Sequence, residues 1–412
     1  MVDAADSGRG DPGIEDLRAI HAASLGLVRE TPTMTLRSLS RETGGEIVLK
    51  AENLQRTGSF KLRGSLAKLR AIDPESCAGV VTGSAGNHAQ SLAYAARGVG
   101  VPCRVYMPAA AAVGKVDAVE AFGGEVVRGG GSVDECIATA REAAEAEGLL
   151  FVHPFDDPEV IAGQAGVGIE LVAQVPNLRR VIVPVGGGGL ASGLAMAVKL
   201  QSPAVEVIGV QAANCAPFAE SLREGRPIEV DASRTIADGI AIKRPGEVTM
   251  PLIERWLDGM VSVSDEAIVE AMVLLAERAK LVTEGAGAAA TAALLTGLVE
   301  PAAEGSTALV LSGGNVDPRI LAAAINRHEI HEHRRVRINT HVDDHPGGLA
   351  DLLRAIAEAG ANVIEVFHIR DRADIELSQT SVSLLLETRG SEHIARLRER
   401  LERAGYELSD PD

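Results

Sequence analysis

Residues 52–65 read Glu52-Asn-Leu-Gln-Arg-Thr-Gly-Ser-Phe-Lys61-Leu-Arg-Gly-Ser65. An apolar run, Ile47-Val48-Leu49, precedes them, and Leu62, Leu66 and Leu69 follow at helical spacing. The order strand, turn, helix places Lys61 in the first turn of the helix, with Thr57, Gly58 and Ser59 as turn and N-cap residues. The positive end of the helix dipole disfavours a second cation there. A lysine so placed gives up its proton more easily, and the neutral amine is the form that attacks a carbonyl. The ordinary alternative is a solvated surface lysine. Phe60 and two short hydroxyl residues as neighbours weigh against it.

Outward from this stretch, residues 14–330 alternate short β-branched runs with alanine-rich helical patterns. Val80–Thr82, Arg104–Met107, Val181–Val185, Val205–Val210 and Ala308–Leu311 read as strands. His88–Arg97, Ser132–Glu147 and Glu266–Lys280 read as helices between them. Such alternation predicts βαβ units, mostly parallel sheets and binding at the carboxyl ends of strands. The composition changes at the charged stretch Arg327–Arg335, of which 331–335 reads as a connector. Beyond it, 336–412 forms a separate pattern: a strand Val336–Val342, then a helix opened by Pro346-Gly347-Gly348. Strands at Asn362–Ile369 and Ser378–Leu386 flank a charged turn, Arg370–Glu376. A helix capped by Ser391 and a short strand at Tyr406–Leu408 complete the ferredoxin-like order βαββαβ.

The 412 residues suffice for two or three domains with a large core. A formal charge of −17 argues against nucleic acid and anionic membrane surfaces as partners, since both need a positive patch. Cys77, Cys103, Cys136 and Cys215 form no Cys-x-x-Cys pair and suit reduced thiols in the cytoplasm. Residues 1–13 are acidic and Gly/Asp-rich, so they read as a mobile tail rather than a signal peptide. The uncharged run Val181–Val198 is long enough for a membrane span, but Pro184 and four glycines make it strand, turn and helix.

Three further motifs carry chemistry. Gly186-Gly187-Gly188-Gly189-Leu190 lies between a strand and a helix, where backbone N–H groups can close on an anion if no Cβ intervenes. Gly186-x-Gly188-x-x-Ala191 also fits the dinucleotide pattern of an NAD-dependent amino-acid dehydrogenase. That fold wants an acidic residue after the next strand, where Gln211 stands instead. Ser84-Ala85-Gly86-Asn87-His88 leaves a strand and enters a helix, an arrangement a plain N-cap would also explain. Ser312-Gly313-Gly314-Asn315 follows the strand Ala308–Leu311 and would pass for a turn if seen alone.

Ser59-Phe60-Lys61-Leu62-Arg63-Gly64 resembles the lysine motif of fold type II pyridoxal-phosphate (PLP) enzymes, in the threonine/serine dehydratase branch. The other three motifs stand in that family's order, and the resemblance spans residues 14–330. It implies an α/β, tryptophan synthase β-like fold of two α/β subdomains, the smaller at about 52–155. It also implies PLP as cofactor, with Lys61 on its aldehyde and Phe60 alongside. The phosphate would fall to Gly186, Gly187, Gly188, Gly189 and Leu190, the pyridine nitrogen to Ser312, and Asn87 would lie beside the 3′-oxygen. Ser84, Ala85, Gly86, Asn87 and His88 would hold the substrate carboxylate, and Lys61, once free, would take the Cα proton. A neutral Ser312 leaves the ring a weaker electron sink than an aspartate would, which fits elimination better than transamination. Ala85 stands where serine racemases carry an acid/base serine, which again favours elimination.

Glu284 resembles a family glutamate near the ring. The acidic residues with which relatives hold a divalent cation are replaced by Gln211–Pro217, without a carboxylate, so no metal is expected. His328, His331 and His333 read as a solvated linker. The implied activity is dehydration and deamination of L-threonine to 2-oxobutanoate and ammonia, with L-serine giving pyruvate. An L-serine dehydratase or serine racemase is the alternative within the family. Residues 336–412 resemble an ACT regulatory domain with His345–Gly348 as its first loop, implying an amino-acid effector and a homodimer or homotetramer. Isoleucine or valine is the effector expected from pathway logic. A non-catalytic amino-acid sensor using only this segment is the remaining reading, against which the complete Lys61 and Ser84–His88 motifs stand.

Overall fold

The computed structural model describes residues 11–74, 76–370 and 378–409. The chain divides into two compact units on either side of the Asp317–Pro318 bond. In the first, a six-stranded sheet has the spatial order Thr33–Thr35, Glu46–Ala51, Ser306–Leu311, Leu178–Pro184, Glu206–Ala212, Gly259–Val263. Its first pair is antiparallel and the others are parallel. A second, all-parallel sheet has the order Glu125–Arg128, Cys103–Met107, Val80–Gly83, Leu150–Phe151. Parallel strands covered by helices on both faces must be apolar along their length. Ser306–Leu311 is buried at all six positions: Ala308–Leu311 are apolar, and the hydroxyls of Ser306 and Thr307 are hydrogen-bonded to Glu46 and to Ala302 N–H. The helix Gly285–Leu295 is buried nearly all round, which its alanine-rich sequence permits.

This topology gathers the motifs. Glu46–Ala51, Ser306–Leu311 and Leu178–Pro184 are adjacent parallel strands, and their carboxyl ends lead into the Lys61, Ser312 and Gly186 segments. Ser84 leaves the carboxyl end of Val80–Gly83 in the other sheet.

Local departures from the sequence reading have local causes. Lys61 is the first residue of the helix Lys61–Arg70, but among the described residues no side chain caps it: Phe60 holds the cap position, and the buried Ser59 hydroxyl finds no partner there. Backbone pairing takes over, with Phe60 N–H donating to Ser312 O at 3.1 Å and Gly314 N–H to Gly58 O at 2.9 Å. The expected helix Glu266–Lys280 stops being α-helical at Leu274. A π-helical turn, Leu275–Ala279, follows, and Lys280 takes a left-handed φ of 60°. That turn redirects the chain toward Glu284.

In the second unit the strands Arg335–Asp343, Gln379–Glu387 and Asn362–Ile369 form an antiparallel sheet in that order. Its core is built from Ile338, Val342, Leu352, Ile356, Leu384, Leu397 and neighbours. A helix, Pro318–His331, takes up the first part of the charged stretch Arg327–Arg335 and reaches His331, the first residue read as connector; the strand Arg335–Asp343 begins at its last. Tyr406–Leu408 forms no strand; a single bridge, Asn339 to Ser409, takes its place. Ser391 begins its helix rather than capping it, and Gly390, at φ 105°, precedes it. Residues 371–376 of the expected turn, and 1–10 of the expected tail, lie outside the described residues. Among the described residues no helix is long and apolar enough to cross a membrane.

Candidate active site

A cavity of about 870 Å³ in the first unit brings the four motifs together. Lys61, Ser84–His88, Gly186–Leu190, Ser312 and Asn315 all line it. The Lys61 amine donates to Pro154 O at 2.7 Å and lies 5.2 Å from the Phe60 ring centroid. Burial lowers its pKa to about 8, against the opposing charge of Glu284. The nucleophilic amine expected from the sequence is therefore produced chiefly by desolvation.

The glycine loop follows its strand as expected. Gly188 takes φ 99°, which favours glycine, and a Cβ on Gly187 would lie 2.4 Å from the Phe155 ring. Among the described residues, the N–H groups of Gly186 through Leu190 find no acceptor. A row of unsatisfied donors facing a cavity is a site for an anion. Ser312 is buried, and its hydroxyl makes no hydrogen bond to a described residue.

At the Ser84 loop, the Ser84 hydroxyl accepts from Gly86 N–H at 3.2 Å. His88 Nε2 lies 3.1 Å from Val152 O, and burial drives its pKa down to about 3. It therefore stays neutral, donates to that carbonyl and serves the loop as a fixed wall. Asn87 Nδ2 donates to Glu284 Oε1 at 2.7 Å, and Asn87 Oδ1 accepts from Asn315 Nδ2 at 2.7 Å. Asn315 Nδ2 also donates to Thr57 O at 2.8 Å, which ties the lysine turn to this chain of amides.

Glu284 is the most displaced carboxyl of the site. Burial and the charge of Asp238 raise its pKa to about 7, opposed by the Asn87 hydrogen bond, Lys115 and Lys61. A carboxyl raised in the folded state contributes stability below its ordinary pKa of 4.5 and loses it as pH rises through 7. Glu284→Gln mimics the protonated form. The variant is expected to match the parent near pH 4.5 and to unfold at a higher temperature than the parent by pH 8. Thermal midpoints of the cofactor-free proteins across that range check this; a constant difference contradicts it.

Sequence reasoning missed the strap His153-Pro154-Phe155-Asp156. His153 Nδ1 accepts from Asp156 N–H at 2.7 Å, Pro154 O holds Lys61, and Phe155 packs on the glycine loop. One signal was available: the chain has only 6 phenylalanines, and Phe60 and Phe155 both line this cavity. Gln211, the residue that argued against a dinucleotide, is buried and accepts from Phe218 N–H at 3.2 Å. Among the described residues no three His, Cys, Asp or Glu side chains group as metal ligands.

Comparison with known proteins identifies the family. The family described as pyridoxal-phosphate dependent enzyme matches residues 25–313, and the ACT domain family matches 336–405. The chain is 42% identical to an L-threonine ammonia-lyase of Thermotoga maritima, covering 96% of this chain and 98% of the relative. A crystal structure of a threonine deaminase from T.th. superposes with a TM-score of 0.70 at 42% identity, over 74% of this chain and 99% of that one. A maize serine racemase structure gives 0.73 at 32% identity, over 79% and 100%. The chain belongs to the pyridoxal-phosphate-dependent enzymes, in the threonine ammonia-lyase group, and carries an ACT domain after its catalytic unit.

Proposed function

We propose that the chain is an L-threonine ammonia-lyase, forming 2-oxobutanoate and ammonia, with L-serine as a second substrate. The observation that carries this is one cavity holding a desolvated lysine amine, with five loop N–H groups and a serine hydroxyl that find no partner among the described residues. These fit the aldehyde, phosphate and ring nitrogen of PLP. Bound PLP supplies an aldehyde for amino groups and an electron-withdrawing ring. The chain's own residues do the rest. Lys61 takes the proton from the substrate Cα, since an amine titrating near 8 is substantially neutral in mildly alkaline solution. The N–H groups of Ala85, Asn87 and His88, which find no acceptor among the described residues, would bind the substrate carboxylate, and the uncharged Ser312 would face the ring nitrogen without giving it a full proton. Asn87, fixed by Glu284 and Asn315, would hold the 3′-oxygen.

Serine racemisation is the competing chemistry, because the maize racemase is so similar in fold. Ala85 has no hydroxyl to return a proton to the far face of Cα. Incubation with L-serine is expected to yield pyruvate without D-serine. Chiral chromatography showing D-serine at rates near that of pyruvate contradicts the assignment.

The ACT unit supplies regulation. A second cavity, about 420 Å³, is lined by Asp343, Asp344, His345, Gly347, Leu353 and Arg370, at the loop expected to bind an effector. Isoleucine or valine is the proposed ligand. The outer strand Asn362–Ile369 exposes Ile364, Val366, Phe367 and Ile369, a surface suited to a second copy of the chain in a homodimer or homotetramer. A chain ending at Asp317 is expected to keep PLP binding and basal turnover but lose any response to isoleucine or valine. An unchanged half-saturation in the truncated enzyme would place the effector in the catalytic unit. The four cysteines are free, as suits a cytoplasmic enzyme.

A further inference from the structure

Thr249 and Asp156 belong to no motif, yet they hold the glycine loop from behind. The Thr249 hydroxyl donates to Gly187 O at 2.6 Å, and Thr249 is fully buried. In a trans peptide the carbonyl and the following N–H point in opposite directions. Fixing Gly187 O on Thr249 therefore directs Gly188 N–H away from Thr249. That N–H belongs to the row without acceptors that lines the cavity. A Cβ on Gly188 would sit 2.8 Å from Thr249 Cβ, so the contact leaves the loop no slack on that side. Phe155 closes the other side against Gly187 and Gly189.

Thr249 is itself held. The Asp156 carboxylate accepts from Glu247, Val248 and Thr249 N–H at 3.0, 2.9 and 3.1 Å, gathering the start of the helix Thr249–Trp256. Gly246 passes so close that a Cβ there would lie 2.0 Å from Asp156 Oδ1. The Ser192 hydroxyl adds a long contact to Thr249 O at 3.4 Å. Asp156 also lies two residues beyond Pro154, the carbonyl partner of Lys61.

We infer that Thr249, held by Asp156, is a positioning residue that presets the Gly186–Gly189 amides for the cofactor phosphate. The inference rests on the PLP reading above. Neither side chain touches the phosphate; they act through the loop, so their loss is felt by a ligand that carries the phosphate and not by one that lacks it.

The test titrates the full-length chain, freed of bound cofactor, with PLP and separately with pyridoxal, following absorbance. The parent is expected to prefer PLP strongly. Thr249→Val is expected to weaken PLP roughly tenfold, as loss of one buried hydrogen bond would, and to leave pyridoxal unchanged. Thr249→Ser keeps the hydroxyl and is expected to restore the parent value. Asp156→Asn, which turns an amide donor toward backbone N–H groups, is expected to shift PLP alone in the same direction. Equal losses for both ligands would mean a merely structural role and overturn the inference, as would an unaltered PLP affinity in Thr249→Val. A parent with no preference for PLP over pyridoxal would instead overturn the cofactor reading itself.

Discussion

Replacing Lys61 with alanine abolishes the visible absorbance of lysine-bound cofactor and lowers keto-acid formation from L-threonine by roughly 10²–10⁴-fold or more. The fold is expected to survive. Among the described residues the Lys61 amine makes one hydrogen bond, to Pro154 O, whose net worth is about 1 kcal/mol. Burial already disfavours the charged amine, so removing it relieves a desolvation cost. Absorbance after PLP addition, and coupled assay of 2-oxobutanoate, check the two halves separately. A variant retaining the band would show that another amine carries the cofactor.

Arg63→Met is expected to destabilise the catalytic unit by about 3–5 kcal/mol, the usual effect of removing one partner from a buried charge cluster. Arg63 stands two residues after Lys61, about 200° around the helix, and so anchors the face opposite the amine. Its guanidinium is fully buried between two carboxylates. It meets Glu52 at 2.7 and 2.8 Å and Glu170 at 2.6 and 2.8 Å. Lys50 completes the set at 2.6 Å from Glu170, giving formally two cations and two anions. Burial alone would raise the Glu52 pKa, but the charge and hydrogen bonds of Arg63 hold it below the usual range. A carboxylate so lowered contributes stability above its unfolded pKa and loses it as pH falls. In the variant the deserted carboxylate favours protonation, so its stability improves as pH falls. The gap between the two proteins is therefore expected to narrow from pH 7.5 to pH 5. Denaturant midpoints at both values check this, and a gap that widens toward acid refutes the account of the cluster.

The parts of this architecture written in short stretches were legible from the sequence. Parallel strands announced themselves as apolar runs, and each chemical motif sat at a strand's carboxyl end, so their shared cavity followed from topology. Lys50 is itself a signal of a buried partner: a lone charge inside Ile47–Ala51 cannot be buried unpaired. Its partner Glu170 lies 120 residues away, and no local pattern joins them. The same distance hid the Asn87–Glu284 hydrogen bond, which spans 197 residues. Capping failed as a guide at Ser59, because a tertiary partner, the Ser312 turn, supplied the backbone bonds that a side-chain cap would otherwise provide. In the ACT unit the period-two strands were clear, but the last one was too short for alternation to separate a strand from a single bridge.

Elimination of water from L-threonine leaves one molecule of 2-oxobutanoate and one of ammonia for each molecule consumed. Incubation of the purified full-length protein with PLP and L-threonine, measuring 2-oxobutanoate and ammonia together, tests for that reaction. Both products are expected in equal amounts, at a rate that rises with pH toward about 8 as the Lys61 amine loses its proton. PLP bound by the protein with neither product formed from L-threonine would contradict this elimination.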